Sequence, residues 1–260
     1  MCYNGGIERE GFGMSLWTYE HAITLLPAMV VMALLSLLLR HFLKNKPRKV
    51  RMIPIVIITV VLLLLEVGKQ VLSCLRGYDL YHIPLHFCSL FIFVMPCMCF
   101  YGGKHSHKVN AVAAAMCGSV FLMMAVYPSL IYGDFNIRAF FTDFFSFHTV
   151  VFHNLVVLLC FLILSLDLYV PQKGDWKVLV WFMVGYGVVA ATVAQLLQTN
   201  YNNFYQCNIP PLESLRQLVQ SGLGYWPAQI LYVLIVIAMD VGFVLMVRWL
   251  ISLTKRKAAV

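Results

Sequence analysis

Charge is what this chain has least of. Asp, Glu, Lys and Arg make up only 12% of its residues, about half the share usual in soluble domains. Hydrophobic residues reach 61%, with a mean hydropathy of +0.82, so a soluble globular fold is excluded. Paired CxxC spacing is also missing among the eight cysteines, at 2, 74, 88, 97, 99, 117, 160 and 207, which removes the common zinc and dithiol frameworks. Cys97-Met98-Cys99 and His105-Ser106-His107 are too short and too isolated to hold a metal, and read as core packing and a solvated loop. Neither metal nor cofactor is expected. Cys2, Cys74 and Cys207 fall on the expected outer side, where a disulfide is chemically allowed but unsupported by the pattern. No linker, low-complexity tract or internal repeat breaks the chain, so residues 1–260 read as one domain. Residues 1–15 carry Glu8, Arg9 and Glu10 and no apolar core, so no cleaved signal peptide is expected and the first span directs insertion.

What is present is a series of apolar stretches near the roughly 20 residues needed to cross a bilayer. Seven are expected, near 18–39, 52–72, 84–101, 109–130, 148–168, 177–197 and 228–251. The fold class is therefore all-α, a polytopic cell-membrane protein with seven transmembrane helices. Fourteen of the 19 Lys and Arg residues lie in 40–51, 104–108, 173–177 and 248–257. Basic loops stay cytoplasmic, and an odd number of spans puts the N-terminus outside and the C-terminus inside. The net charge of +8 follows this loop topology, which argues against a nucleic-acid partner. The longer connections, 127–147 and 198–227, are external and rich in Pro, Gly, Asn and aromatics, marking an elaborated outer face. Trp17, Tyr19, Trp181 and Trp226 near span ends suit an interfacial belt.

Polar residues within the spans gather toward that outer face. Glu20 and His21 open the first span; Glu66, Lys69, Gln70 and Ser73 close the second; His86 and Cys88 open the third; His148 opens the fifth; Asn200 and Tyr201 follow the sixth. Ionisable groups at membrane depth mark a site or a helix tether. Glu66, Lys69 and Gln70 share one helical stripe, either an internal pair that neutralises two buried charges or part of a site. Cys88 is the cysteine set among histidines in this layer, and a thiol becomes nucleophilic beside a base. On a helix, His86 points nearly opposite to Cys88 unless Pro84 distorts the turn, so the base is expected from another span. His148 is the first candidate, with His21 and His86 behind it. The competing reading is a packing cysteine and a hydrogen-bonding tether.

The run Ile83-Pro84-Leu85-His86-Phe87-Cys88 resembles the LPLHLC-type signature of the YwaF family of bacterial integral membrane proteins. Further matches follow in order: His21, Phe147-His148, Gln198-Thr199-Asn200-Tyr201 against a GTNY segment, Pro210-Pro211, and Gly224-Tyr225-Trp226-Pro227 entering the last span. Ile83 stands where the family has Leu, and Gln198 where it has Gly. That family looks related to a eukaryotic transmembrane acyltransferase acting on phospholipids, and distantly to androgen-induced-protein lipid hydrolases. The resemblance implies a Cys88–His148 catalytic pair acting on a membrane lipid. His21, Glu66, Lys69, Gln70, His86, Asn200 and Tyr201 would then bind substrate, with Asn200, Tyr201 or Gln70 donating to the oxyanion. The rival readings are a binder or transporter of a lipid or small solute, and an accessory membrane subunit.

Overall fold

In the computed structural model, which describes residues 17–133, 137–206 and 210–257, every regular element is a helix. Helix α1 (Tyr19–Leu43) begins where Thr18 turns extended: the Thr18 hydroxyl accepts from the His21 amide at 3.2 Å, and the Thr18 amide donates to His21 Nδ1 at 3.3 Å. This reciprocal cap satisfies two orphan donors of the first turn. Short α2 (Arg48–Arg51) continues through Met52 into α3 (Ile53–Leu75), 28 residues in all, or about 42 Å of helix. After a 3₁₀ turn at Leu80–His82 and another at Phe87–Leu90 comes α4 (Phe91–Phe100). Then follow α5 (Ser106–Val126), the short α6 (Ser129–Tyr132) and α7 (Ile137–Thr142), α8 (Phe144–Ser165), α9 (Asp175–Leu197), α10 (Pro210–Leu223) and α11 (Tyr225–Lys257).

Six of these helices are long and apolar enough to span a membrane, and a shorter apolar one, Phe87–Phe100, lies between the second and third of them. The expected third span, 84–101, is thus shorter than a bilayer is thick. Its 14 residues rise only about 21 Å against roughly 30 Å of hydrocarbon. Pro84 explains the late start, because it pushes Ile83 out of the α region, to φ −56° and ψ 132°, and His86 is still extended at ψ 151°. Six helices of spanning length and this shorter apolar one are those of a multi-pass membrane protein. Two outer boundaries differ as well. The fifth span starts at Phe144, because Asp143 caps it by accepting from the Ser146 amide at 2.8 Å. Residues 210–223 of the expected 198–227 loop form α10, whose Val219 turns toward α11 while Leu215 and Leu218 are exposed. Cys2 and Cys207 lie outside the described residues, whereas Cys74 is a free, exposed thiol.

Helix α5 is the axis of the bundle, packing on α4, α8, α9 and α11. Its buried run Ala111, Ala113, Ala114, Ala115, Gly118 and Ser119 lets neighbouring backbones approach closely, which is how helices associate where lipid removes the hydrophobic drive. A Cβ on Gly118 would stand 2.6 Å from Val247 Cγ1, and one on Gly187 of α9 2.6 Å from Ile237 Cγ1. Helix α11 is therefore drawn in against both α5 and α9. At the end that carries the basic loops, Arg40 donates to the Ser165 carbonyl at 2.7 Å, Arg51 to Leu166 at 2.6 Å and Arg248 to Gln172 at 2.6 Å. Cations thus meet the partial negative charge at the C-terminus of α8 and the loop after it.

Candidate functional site

Helices α8 and α11 both pack on α5 but not along each other. The space left between them, closed on the third side by the broken start of the third span, is a cavity of about 1120 Å³. This is slightly above the usual range for small-molecule sites, about 300–1,000 Å³. One part of its wall is polar and the remainder apolar, with Val120, Met123, Val236, Met239, Phe243 and Met246 among the latter.

The polar wall is built around Glu66. Its Oε1 receives Lys69 Nζ and Gln70 Nε2, both at 2.8 Å, and its Oε2 lies 3.5 Å from His148 Nε2. All of these but Gln70 are nearly withdrawn from solvent, with side chains 6% exposed at Glu66, 11% at Lys69 and 9% at His148. The stripe anticipated on α3 is thus an ion pair that also faces the cavity, and the carboxylate reaches across to α8. His148 stacks on Phe152 with ring centres 5.2 Å apart, which fixes the plane of the imidazole. Cys88 lines the same cavity, in the 3₁₀ turn Phe87–Leu90 that precedes α4, as a free thiol. His86, one residue before that turn, puts Nε2 3.2 Å from the Tyr81 carbonyl, so Nε2 carries the proton.

Of the residues singled out from sequence, Glu66, Lys69, His86, Cys88, His148 and Asn200 line this cavity, whereas His21, Gln70 and Tyr201 do not. His21 is fully buried as the partner of the α1 cap, its ring 6.1 Å from that of Tyr132, which is on the cavity wall. Gln70 spends both amide protons, on Glu66 and on the His82 carbonyl at 2.7 Å. Tyr201 spends its hydroxyl proton on the Leu80 carbonyl at 2.5 Å. Neither retains a proton for an oxyanion, which corrects that expectation. Asn200 accepts at Oδ1 from the Tyr205 and Gln206 amides, at 3.2 and 3.1 Å, while its Nδ2 makes a long contact with Asn203 Oδ1, at 3.5 Å, and has an amide proton to give.

His82, His153, Asn202 and Asp240 are among the cavity-lining residues to which sequence reasoning assigned no role. His82 Nδ1 is 2.7 Å from the Ser73 hydroxyl, and burial holds its imidazole below the ordinary 6.5. His153 directs Nδ1 to the Thr149 carbonyl at 2.7 Å, leaving Nε2 as the lone-pair nitrogen of the neutral ring. Asn202, at a left-handed φ of 47°, donates to Asp240 Oδ2 at 2.7 Å. Asp240 is the sole acid of the last span, a signal readable in the sequence. Among the described residues no group of three or more His, Cys, Asp or Glu side chains is arranged to hold a metal ion.

Residues 16–247, nearly the whole chain, match the model of the TMEM164 family. The chain belongs to the TMEM164 family. No curated protein and no solved structure matches it. In this TMEM164-family membrane protein, the matched stretch contains every cavity-lining residue discussed above.

Proposed function

We propose that this TMEM164-family protein is a membrane-embedded acyl-transfer enzyme that uses Cys88 as nucleophile and His148 as general base and acid, with a membrane lipid ester as acyl donor. The observation that carries the reading is the sharing of one largely apolar cavity by Cys88, His148 and the Glu66 carboxylate that faces His148. Nucleophile, base and a group that orients the base are the parts that activated-nucleophile catalysis requires. With Nε2 directed at Glu66, Nδ1 is the nitrogen that takes the thiol proton. The Cys88 thiolate attacks the ester carbonyl, the C–O bond of the collapsing tetrahedral intermediate breaks, and the departing alkoxide recovers the proton from His148. A thioester is left on Cys88. A second alcohol, or water, is deprotonated by His148 and attacks that thioester, regenerating the thiol and releasing a new ester or a free acid. Asn200 is positioned in the cavity wall to donate to the oxyanion in both steps. The acyl chain occupies the apolar part of the cavity, beside Met123, Phe243 and Met246.

The test is intact-protein mass spectrometry after incubation with phospholipid vesicles. An acyl-sized mass gain that is released by neutral hydroxylamine, lost in Cys88→Ser and lost in His148→Ala with the fold retained, is the expected result. No adduct in the wild type, or one that persists in Cys88→Ser, sinks the mechanism.

A further inference from the structure

Away from the cavity, the cytoplasmic junction of α1, α2 and α8 holds two arginines side by side. Arg40, near the end of α1, and Arg51, at the end of α2, donate to the consecutive carbonyls of Ser165 and Leu166 at 2.7 and 2.6 Å. Each has five N–H donors and spends one on these bonds. Arg51 Nε is buried with no hydrogen-bond partner. No carboxylate of the described residues lies within 4 Å of either guanidinium; the ion pairs found are all elsewhere. The segment 40–51 contributes Lys44, Lys46, Arg48 and Lys49 as well, and no Asp or Glu. The carbonyls at the end of α8 supply only partial negative charge, so among the described residues neither of these two neighbouring cations is in ion-pair contact with a carboxylate.

We infer that Arg40 and Arg51 form a binding site for the phosphate of an anionic phospholipid in the inner leaflet. The carbonyl bonds hold each guanidinium in place, leaving its other edge to grip phosphate oxygens in the bidentate manner that suits arginine. The position fits a headgroup, because basic pockets between transmembrane helices on the cytoplasmic side meet the anionic leaflet there. Lys44, Lys46 and Lys49 are exposed and add only diffuse attraction.

Native mass spectrometry of the full chain in detergent, with equimolar phosphatidylglycerol and phosphatidylcholine, reads the site directly. The wild type should retain phosphatidylglycerol by roughly thirtyfold, given two cations near the leaflet. Arg40→Gln/Arg51→Gln should abolish the preference, whereas Lys44→Gln/Lys46→Gln/Lys49→Gln should keep it. Equal retention of both lipids by the wild type overturns the inference without any variant, so a double variant that fails to fold does not rescue it. Loss of preference in the lysine variant alone also overturns it. A parallel melt with inorganic phosphate separates the sources: stabilisation by millimolar phosphate equal to that by the lipid would make this a free-phosphate site and refute the lipid assignment.

Discussion

Glu66→Gln should damage this protein twice, and the two effects can be separated. The carboxylate is 6% exposed and holds the charge that balances Lys69, itself 11% exposed, at 2.8 Å. Glutamine keeps the size of the side chain but leaves the ammonium uncompensated in a low-dielectric wall. Removing one member of a buried ion pair costs about 3–5 kcal/mol. At about 2–4 °C per kcal/mol for a domain of this size, that is a fall in melting temperature of roughly 6–20 °C. Replacing both partners, as in Glu66→Gln/Lys69→Met, removes the stranded charge and should recover most of the loss, because apolar replacement of a buried pair is often neutral. His148, however, still faces an amide in place of a carboxylate, so the double variant should be stable and yet defective in thioester formation. Parallel melts of wild type, both single variants and the double variant in one detergent give the coupling energy. A Glu66→Gln loss below about 1 kcal/mol, or no coupling to Lys69, would refute the view that this pair is both buried and charged. A double variant as active as wild type would remove Glu66 from the proposed chemistry.

Other perturbations follow from single contacts. Gly118→Val should lower stability by about 1–3 kcal/mol, since its Cβ would meet Val247 at 2.6 Å and α5 would have to part from α11; an unchanged melt would refute that close packing. Asp143→Ala removes the cap of α8 and should cost about 1 kcal/mol, with faster hydrogen exchange confined to residues near 144–147. His82 has a folded pKa below the ordinary 6.5 because of burial, so the folded state binds its proton less readily than the unfolded one. Its contribution is complete above about pH 6.5 and declines as pH falls through that value. Wild type should therefore lose stability between pH 7 and 5 more steeply than His82→Gln, and parallel pH profiles of the two would contradict this.

The spans were legible because twenty-residue apolar runs and basic loops are written in composition alone. The third was overestimated, since hydropathy counts Leu85, Phe87 and Leu90 as span residues, while Pro84 and the extended His86 keep the chain from coiling until Phe87. Helix α10 went unread because its Pro210-Pro211 start and following polar residues have the composition of a loop; its apolar positions 215, 219 and 223 recur at helical spacing only once a helix is assumed. In the polar layer, depth along the sequence grouped Glu66, Lys69, Cys88 and His148, which all line the one cavity. It could not tell which members turn toward the cavity. Gln70 is one position beyond Lys69 yet points to the Glu66 carboxylate and the His82 carbonyl, and Tyr201, directly after cavity-lining Asn200, points to Leu80. Asp240 and His153 were passed over because they lie deeper in their spans than the layer at the outer ends.

The shortness of the third helix also bears on how the chain is assembled during synthesis. Its leading segment has carbonyls left outside the hydrogen bonds of its own turns and taken up by side chains from elsewhere, His82 by Gln70 and Leu85 by Tyr186 at 2.9 Å, while Leu80, already bonded to the Ile83 amide, also accepts from Tyr201. Gln70 is already made when the segment leaves the ribosome, but Tyr186 and Tyr201 follow 101 and 121 residues behind their partners. At about 5–20 residues per second, that is a wait of roughly 5–25 seconds. Bare carbonyls are not tolerated in lipid for such a time, so this segment must wait at the aqueous interface or inside the insertion machinery. The wall that carries Cys88 is then completed only after the fifth of the six long helices has arrived, making the cavity one of the last parts of the protein to form.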